Sequence, residues 1–346
     1  MRAEALKLPV AVAEGGPRER GLAIGRGLAE PIHRSLAFYR GIWARRGIEL
    51  GPALTPYLAA AEAEASLPHL VEQIRGMAEG AEADFDELFA VNAYEELEER
   101  PEPDRCSTFT AAGPGTTLLA HSEMWCVGDV GNVAIVVERP EQGPAVVSPT
   151  VVCSLPAVGV NADGAAQGID SLTARTDRVG IPRVLVSRHS LNARDRGDAI
   201  ARAGLAGRAG GYAHVYAFRG GDGIALETTA DRVAVVERSG HTNHYLDGAL
   251  AEVGDEPTAG SVSRLERLDA LLAERPPETP DEAMDVLRDH AGEPQAICHH
   301  PAGDDDAEAS AIVFAFVAEL ESRRLWVAAG NPCEHPFEEV DLADVV

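Results

Sequence analysis

Apolar residues in the first hundred positions recur every three or four residues, the spacing of a helix face, whereas later apolar residues come in short runs. The first part of the chain therefore predicts helices and the second part predicts strands. In the first part we expect, in order, a strand over 5–13, a loop over 15–21, a helix over 22–46, a helical block over 52–80 that breaks near Pro68, and a helix over 84–99.

The second part carries Gly, Pro and Asn-X-Asp-Gly turn signals between its apolar runs, as an antiparallel meander does. Strands are predicted over 133–138, 145–148, 151–153, 159–164, 165–170, 214–219, 224–228, 233–237, 310–317 and 324–329. Helices are predicted over 181–191, 195–204, 261–274 and 280–290. Strands in two groups with helices between them indicate an α+β layered domain that follows a mostly helical segment.

The stretch 104–125 joins these two parts and predicts a β-hairpin around a Gly-Pro-Gly turn at 113–115. Cys106 stands at the start of its first strand, and the acidic, Pro-containing run 95–103 before it is expected to be exposed. A cysteine at such a junction suggests one specific chemistry. Cleavage before Cys106 would free an α-amine that titrates near pH ~8, and this amine could act as the base for the thiol of the same residue.

Charge excludes one large class of function. The net charge is −26, with 56 acidic residues against 30 basic ones, and Lys7 is the only lysine. Such a surface stays hydrated in high salt, so we expect a halophilic origin, and it argues against a nucleic-acid partner. Without a signal-like or membrane-spanning apolar window, we expect a cytoplasmic protein whose five cysteines are free thiols.

Two short runs, 298–300 and 333–335, combine Cys and His. Paired structural ligands usually stand two to four residues apart, so we expect neither a metal nor another cofactor. The competing interpretation is a metal-dependent hydrolase that uses His241, His244 and the run 298–300. It predicts stoichiometric zinc in the purified protein.

Five stretches together resemble a known family. They are Cys106-Ser-Thr108 with Leu118-Leu-Ala-His-Ser-Glu-Met-Trp125, Gly76–Ala81 with Leu88–Asn92, Gly159–Gly164 through Ser171-Leu172, His241-Thr-Asn-His244, and 297–300 with 330–333. In this order they resemble the isopenicillin-N (acyl-coenzyme A:6-aminopenicillanate) acyltransferase family, over nearly the whole chain.

The resemblance implies an N-terminal-nucleophile fold, a four-layer αββα sandwich whose precursor cuts itself before the catalytic cysteine. Residues 1–105 would then be the helical pre-segment, and residues 106–346 would be the αββα domain. The two fragments would form a heterodimer, or the protein would form a homodimer. By the same resemblance Cys106 is the nucleophile, Asn243 an oxyanion donor, and Arg105–Cys106 the bond that is cut. The expected partner is a small-molecule amide or acyl donor that reacts through an acyl-cysteine.

This chain departs from the family pattern at several positions. Met124 replaces the aspartate expected to orient the amine, Asp170 replaces an asparagine, and Arg105 stands where the fungal enzyme has glycine. We expect Glu123, Asp170 and Thr108 to contact the substrate. The acidity of Glu123 and Asp170 favours a neutral or cationic amine over an anionic coenzyme A thioester.

The departures leave three outcomes open: cleavage and catalysis with other supporting residues, catalysis without cleavage, or a fold that has lost catalysis. The first is the prediction. The alternative is a catalytically impaired, uncleaved relative that binds a small metabolite. His241 and His244 are expected to support the loop around Asn243, and the cysteines other than Cys106 to be inert buried thiols.

Overall fold

Two β-sheets lie face to face, and helices cover the outer face of each. The computed structural model describes residues 8–97, 106–301 and 307–342. Its strands are β1 (Val10–Gly15), β2 (Cys106–Gly113), β3 (Thr116–Cys126), β4 (Val133–Pro140), β5 (Val146–Val151), β6 (Gly159–Asn161), β7 (Ala165–Leu172), β8 (Gly211–Phe218), β9 (Asp222–Thr228), β10 (Val233–Val236), β11 (Gly240–His241), β12 (Ser310–Glu319), β13 (Arg324–Ala328) and β14 (Glu338–Asp341).

Most helices lie in two stretches of the chain, before β2 and between strands of the second part. They are α1 (Pro17–Gly27), α2 (Ala29–Arg46), α3 (Leu50–Ala63), α4 (Pro68–Ala81), α5 (Phe85–Asn92), α6 (Tyr94–Leu97), α7 (Arg183–Ser190), α8 (Arg196–Ala203), α9 (Gly248–Ala251), α10 (Ala259–Glu274) and α11 (Pro280–Leu287). Within the described residues, no helix is both long and apolar enough to cross a lipid bilayer.

The larger sheet has eight strands in the order β1-β4-β5-β6-β7-β8-β9-β10, and the smaller has six in the order β11-β2-β3-β12-β13-β14. β1 pairs with β4 in parallel and the other pairs are antiparallel, so the predicted meander is confirmed. β11 follows β10 in the chain but joins the other sheet beside β2. This crossover brings the segment after β11 next to Cys106.

Side chains from each sheet alternate between the interior of the sandwich and a helical layer. Helices α1–α5 pack on the outer side of β4, and α8 packs on β9. On the smaller sheet Phe109 and Leu118 face outward against Leu268 and Met284 of α10 and α11. Between the sheets, residues such as Leu119 and Val147 share one apolar core. The expected four-layer αββα arrangement is confirmed.

The prediction of a loop over 15–21 is wrong, because α1 already begins at Pro17. Proline at the first helical position has the φ that a helix needs, and the backbone N–H of Gly16 donates to the Glu19 carboxylate at 2.9 Å. The break near Pro68 is confirmed, since α3 and α4 are separate helices. The short elements α9 and β14 were not predicted.

The prediction that the acidic run from 95 is exposed is also wrong for its described part. Glu95 is 4% exposed and accepts hydrogen bonds from Ser171 Oγ at 2.5 Å and from the Tyr212 hydroxyl. Glu96 accepts from the backbone N–H of Arg183 at 3.0 Å, and burial raises the pKa of Glu96 to about 7. The carboxylates of Glu95 and Glu96 can be buried because each accepts hydrogen bonds from donors in the interior. Residues 98–105, including Arg105 of the predicted cleavage bond, lie outside the described residues.

Candidate active site

Cys106 is the first residue of β2 and pairs directly with Glu123 of β3. Two positions further along, Thr108 pairs with His121. Because side chains on one face of a sheet recur every second residue, these four side chains share the face that looks toward β7 of the other sheet. The predicted hairpin is therefore confirmed, and it places the cysteine beside a carboxylate inside the sandwich.

Hydrogen bonds link the four side chains in a row. The Cys106 thiol donates to Glu123 Oε1 at 3.5 Å, and His121 Nε2 donates to Glu123 Oε2 at 3.1 Å. A neutral His121 that donates from Nε2 accepts at Nδ1, where the Thr108 hydroxyl lies at 2.8 Å. His121 is fully buried and holds Glu123 in place.

The surroundings of Cys106 keep its thiol protonated. Burial raises the pKa of Cys106 well above its ordinary value, and the negative charges of Glu123 and Asp170 raise it further. A thiol becomes a strong nucleophile only as the thiolate. Attack by Cys106 therefore requires a group that takes its proton at the moment of reaction.

Asn243 lies directly against the backbone of Cys106. Its Oδ1 accepts from the backbone nitrogen of Cys106 and from Arg264 Nη2, each at 3.0 Å, and its Nδ2 donates to the Ser171 carbonyl at 3.2 Å. Two donors at one end and an acceptor at the other define the orientation of the amide. The amide oxygen thus faces the nitrogen that would become an α-amine after cleavage. The role of Asn243 as oxyanion donor stays a prediction.

Arg264 is a member of this site that the sequence analysis missed. Its guanidinium, 2% exposed, donates to the Cys106 carbonyl, to Ser107 Oγ at 2.9 Å and to Asn243. A signal was available, because Arg264 lies on the same face of α10 as Leu268. A charged residue within an apolar stripe is expected to be buried with partners.

Asp170 lies on β7, opposite the row of side chains that begins at Cys106. It is fully buried, and neither carboxylate oxygen has a hydrogen-bond partner among the described residues. Burial raises the pKa of Asp170 to about 7, although the nearby His241, His121, Thr108 and Arg264 work in the opposite direction. Two residues before it, Gly168 leaves room for Thr108, since a Cβ there would lie 2.6 Å from Thr108 Cγ2.

Met124, the replacement that placed catalysis in doubt, is on the other face of β3. It packs against Cys298 and Ile312, away from Cys106. The carboxylate on the cysteine side of this strand is Glu123. The loss of an aspartate at 124 therefore leaves one acidic neighbour of the thiol in place.

The two histidines around Asn243 support its loop, as expected. His241 Nε2 donates to Glu227 Oε1 at 2.8 Å, and His244 Nδ1 lies 2.7 Å from Ser261 Oγ, which also binds the backbone N–H of Asn243. Burial works to lower the pKa of His241, but Glu227 and Asp170 raise it overall. In the described part of the chain, neither histidine belongs to a cluster of metal-ligand atoms, contrary to the metal-hydrolase interpretation.

The cavity next to this row of side chains is small and mostly apolar. Its volume is about 50 Å³, and Glu123 lies at its edge. Its walls come from both sheets and from α5 and α7: Val91, Trp125, Pro149, Thr150, Val151, Ser154, Leu155, Ala157, Val158, Ile169, Val184, Tyr212 and Phe314. A compact apolar group fits such a space.

The buried Asp170 makes stability depend on pH. An unfolded aspartate titrates near pH ~4, so between pH ~4 and about 7 the folded protein holds a proton that the unfolded chain releases, and stability falls as pH rises. Asp170→Asn removes this loss and should raise the free energy of unfolding above pH 7 by up to about 4 kcal/mol. Urea unfolding of both proteins at pH 4 to 8 measures the difference. Asp163→Asn, at an exposed position before β7, is the control. The prediction would be contradicted if the free energies of unfolding of Asp170→Asn and the wild type differed by the same amount at every pH.

A facing pair of sheets between helical layers is the architecture of the N-terminal-nucleophile fold, and Cys106 is the first residue of strand β2 within it. The family model for acyl-coenzyme A:6-aminopenicillanic acid acyltransferase matches residues 134–334, more than half of the chain. The chain belongs to this family of cysteine enzymes, which act on amide bonds. The matched region contains Asn243, Arg264 and Asp170 and begins after the hairpin that carries Cys106.

Solved structures of two bacterial enzymes are also similar to this chain. Penicillin V acylase from Agrobacterium tumefaciens is 16% identical, with 65% of this chain and 83% of that chain covered and a TM-score of 0.46. Conjugated bile acid hydrolase from Clostridium perfringens is 10% identical, with 69% and 93% covered and a TM-score of 0.47.

Proposed function

We propose that this protein is a self-processing amidohydrolase or acyltransferase that forms an acyl-Cys106 intermediate on a small-molecule amide. The observation that carries this proposal is the position of Cys106. Its thiol lies 3.5 Å from Glu123, and its backbone nitrogen lies 3.0 Å from Asn243. The acceptor at the thiol, Glu123, can take its proton. The acceptor at the backbone nitrogen, Asn243, can hold the α-amine that cleavage would free.

In the proposed reaction the sulfur of Cys106 attacks the amide carbonyl carbon, and its proton passes to the α-amine of the same residue. The carbonyl oxygen becomes an oxyanion that Asn243 stabilises from its amide nitrogen. When the C–N bond breaks, the α-amine returns the proton to the leaving nitrogen. Water or a second amine then attacks the thioester and releases the acyl group.

The α-amine exists only after the bond between Arg105 and Cys106 is cut, so self-processing is part of the proposal. Glu123 has the carboxylate nearest to the thiol within the part of the chain that the structure describes, and we assign it the role of base in that first step. The fragments 1–105 and 106–346 remain associated as a heterodimer, since β1 of the first pairs with β4 of the second. We place the enzyme in a reducing, salt-rich cytoplasm, where its five thiols stay free.

The walls of the cavity indicate the substrate class. A space of about 50 Å³ lined by aliphatic and aromatic side chains accepts a compact apolar acyl group. Glu123 and Asp170 beside the cysteine favour an amine part that is neutral or cationic over one that carries negative charge. A coenzyme A thioester, which is strongly anionic, fits these surroundings poorly.

Intact mass under denaturing conditions tests the proposal. The protein purified in high salt should give two fragments that meet between Arg105 and Cys106. After brief reaction with p-nitrophenyl esters of short-chain fatty acids, the larger fragment should gain the mass of one acyl group. Peptide mapping should place this group on Cys106 and should find the exposed Cys333 unlabelled.

One uncut chain of 36.5 kDa that takes up no acyl group would overturn the proposal and favour a metabolite-binding relative without catalysis. An uncut chain that still labels on Cys106 would remove only the self-processing step. It would assign the base to a neighbouring side chain such as Glu123.

A further inference from the structure

Four potential metal ligands from distant parts of the sequence meet beside the smaller sheet. His290 follows α11, Cys298 and His300 lie in the segment that leads to β12, and Cys333 follows β13. One ligand atom from each residue lies within 4.8 Å of the others. The sequence analysis rejected a metal because it looked for ligand pairs at short spacing, whereas this set is assembled by the fold.

Three distances within the cluster are close to those in a tetrahedral zinc site. His290 Nε2 lies 3.2 Å from His300 Nε2, and the sulfur atoms of Cys333 and Cys298 lie 3.3 Å and 4.0 Å from the same nitrogen. Zinc bonds of ~2.1 Å to nitrogen and ~2.3 Å to sulfur place tetrahedral ligand atoms about 3.3–3.8 Å apart. The observed separations lie close to this range.

Protons would join the atoms of this cluster only in pairs. His300 Nε2 faces another imidazole nitrogen and two sulfur atoms, and it carries at most one hydrogen. It can therefore donate to only one of its three neighbours. A cation at the centre would give all four atoms a common partner.

Neighbouring side chains also orient the ligands as they do around protein-bound zinc. His300 Nδ1 faces Glu334 Oε1 at 3.8 Å, which favours the tautomer with a free lone pair on Nε2, and Asn331 Nδ2 donates to Cys298 Sγ at 3.7 Å. Carboxylate–histidine–metal and N–H to sulfur contacts of this kind fix ligand orientation. His299, between two of the ligands, turns the other way and binds the Pro294 carbonyl at 2.9 Å.

We propose that His290, Cys298, His300 and Cys333 bind one structural Zn²⁺ ion. As the metal enters, each thiol releases its proton to solvent and forms a zinc–sulfur bond, so two thiolates balance the charge of the ion. Four protein ligands leave no open position for water or substrate, which makes the role structural. Sulfur and imidazole ligands favour zinc over magnesium or calcium.

The ion would join three loops that hydrogen bonds also link, such as those from the Cys298 N–H to the Asp289 carbonyl at 3.0 Å and from Asn331 Nδ2 to the His299 carbonyl at 2.7 Å. Cys298 packs on Met124 of β3 and on Ile312, which pairs with Met124 from β12. Met124 directly follows Glu123 in the sequence. Zinc at this point would hold the outer side of the strand whose inner side carries the candidate active site. The prediction that every cysteine other than Cys106 is buried is wrong for Cys333, which is exposed.

The test is the metal content and spectrum of the full chain. After purification without added metal, elemental analysis should find about one zinc per chain. Removal by a chelator should lower the Tm, and added Co²⁺ should restore it with the intense d–d and thiolate charge-transfer bands of a tetrahedral site. Cys333→Ser, a change at an exposed position, should lose most of the metal and these sulfur bands, whereas His299→Ala should keep them.

Three results would overturn the proposal. The first is a reduced, folded protein that contains no zinc and shows no thiolate bands with Co²⁺. The second is a Cys298–Cys333 disulfide, seen as a loss of two hydrogen masses, in protein prepared under reducing conditions. The third is a metal that Cys106→Ala loses and Cys333→Ser retains, since Cys106, His121 and Glu123 form the other cluster of ligand atoms.

Discussion

Replacing Cys106 with alanine is expected to leave a single uncut chain and to lower turnover of any amide substrate by about 10⁴-fold or more. The expectation follows from the position of the thiol, which lies 3.5 Å from Glu123 Oε1, and Glu123 lines the apolar cavity. Alanine keeps the backbone hydrogen bond to Asn243 and removes only the nucleophile. The purified variant should therefore fold normally, with a free energy of unfolding within about 1–2 kcal/mol of the wild type.

Intact mass measures cleavage, and release of the amine from a panel of small N-acyl amides measures turnover. Cys126→Ala serves as the matched thiol control, since Cys126 is buried beside Tyr94 and does not line the cavity. Cys106→Ser separates the two steps, because an alkoxide is harder to form than a thiolate and both processing and turnover should slow without vanishing. Turnover at the wild-type rate in Cys106→Ala would end the assignment of the nucleophile.

Local sequence signals predicted the elements around the site. The Gly-Pro-Gly turn between two apolar runs predicted the hairpin. The helix predicted from residue 84 begins one residue later as α5, after Asp84, whose carboxylate accepts from the N–H of Asp86 at 2.8 Å. Such signals act over a few residues and need no tertiary contact. The start of α1 was missed although Pro17 and Glu19 are local signals, whereas the burial of Glu95 depends on hydrogen bonds from Ser171 and Tyr212 on distant strands.

Residue chemistry at the site was predictable only in part. Glu123 and Thr108 were named because they lie in the same hairpin as Cys106, and strand alternation alone places them on its face. Asn243 was named from the family motif, since its place beside Cys106 depends on the crossover from β10 to β11. Arg264 has no motif, and only its place in the buried face of α10 could have suggested it.

Replacing Arg264 with methionine is expected to destabilise the fold by about 3 kcal/mol and to lower kcat about 100-fold with little change in KM. Methionine fills much of the same volume but donates no hydrogen bond. The Cys106 carbonyl, Ser107 Oγ and Asn243 Oδ1 then lose a buried donor. A hydrogen-bond acceptor left unsatisfied in the interior costs about 1–3 kcal/mol of folding stability. Part of this cost is offset because the variant no longer has to bury a cation.

The catalytic loss has a separate cause. Arg264 holds the amide oxygen of Asn243 in place, so without it the amide can turn and the nitrogen end is no longer fixed toward a developing oxyanion. Arg264→Lys should recover part of kcat, because a lysine ammonium reaches one acceptor but not all of them. Arg267→Met is the control on the same helix, since its guanidinium pairs with Asp289 near the surface at 2.6 Å and should affect stability by less than about 1 kcal/mol.

A third measurement distinguishes a lost charge from lost packing. Arg264 is one of the groups that lower the pKa of the buried Asp170 carboxyl, so its removal should move that pKa above about 7. The fall of stability with rising pH would then extend to higher pH in Arg264→Met than in the wild type, while Arg267→Met would follow the wild-type curve. A variant that is destabilised equally at every pH and keeps its kcat would show that Arg264 only fills space.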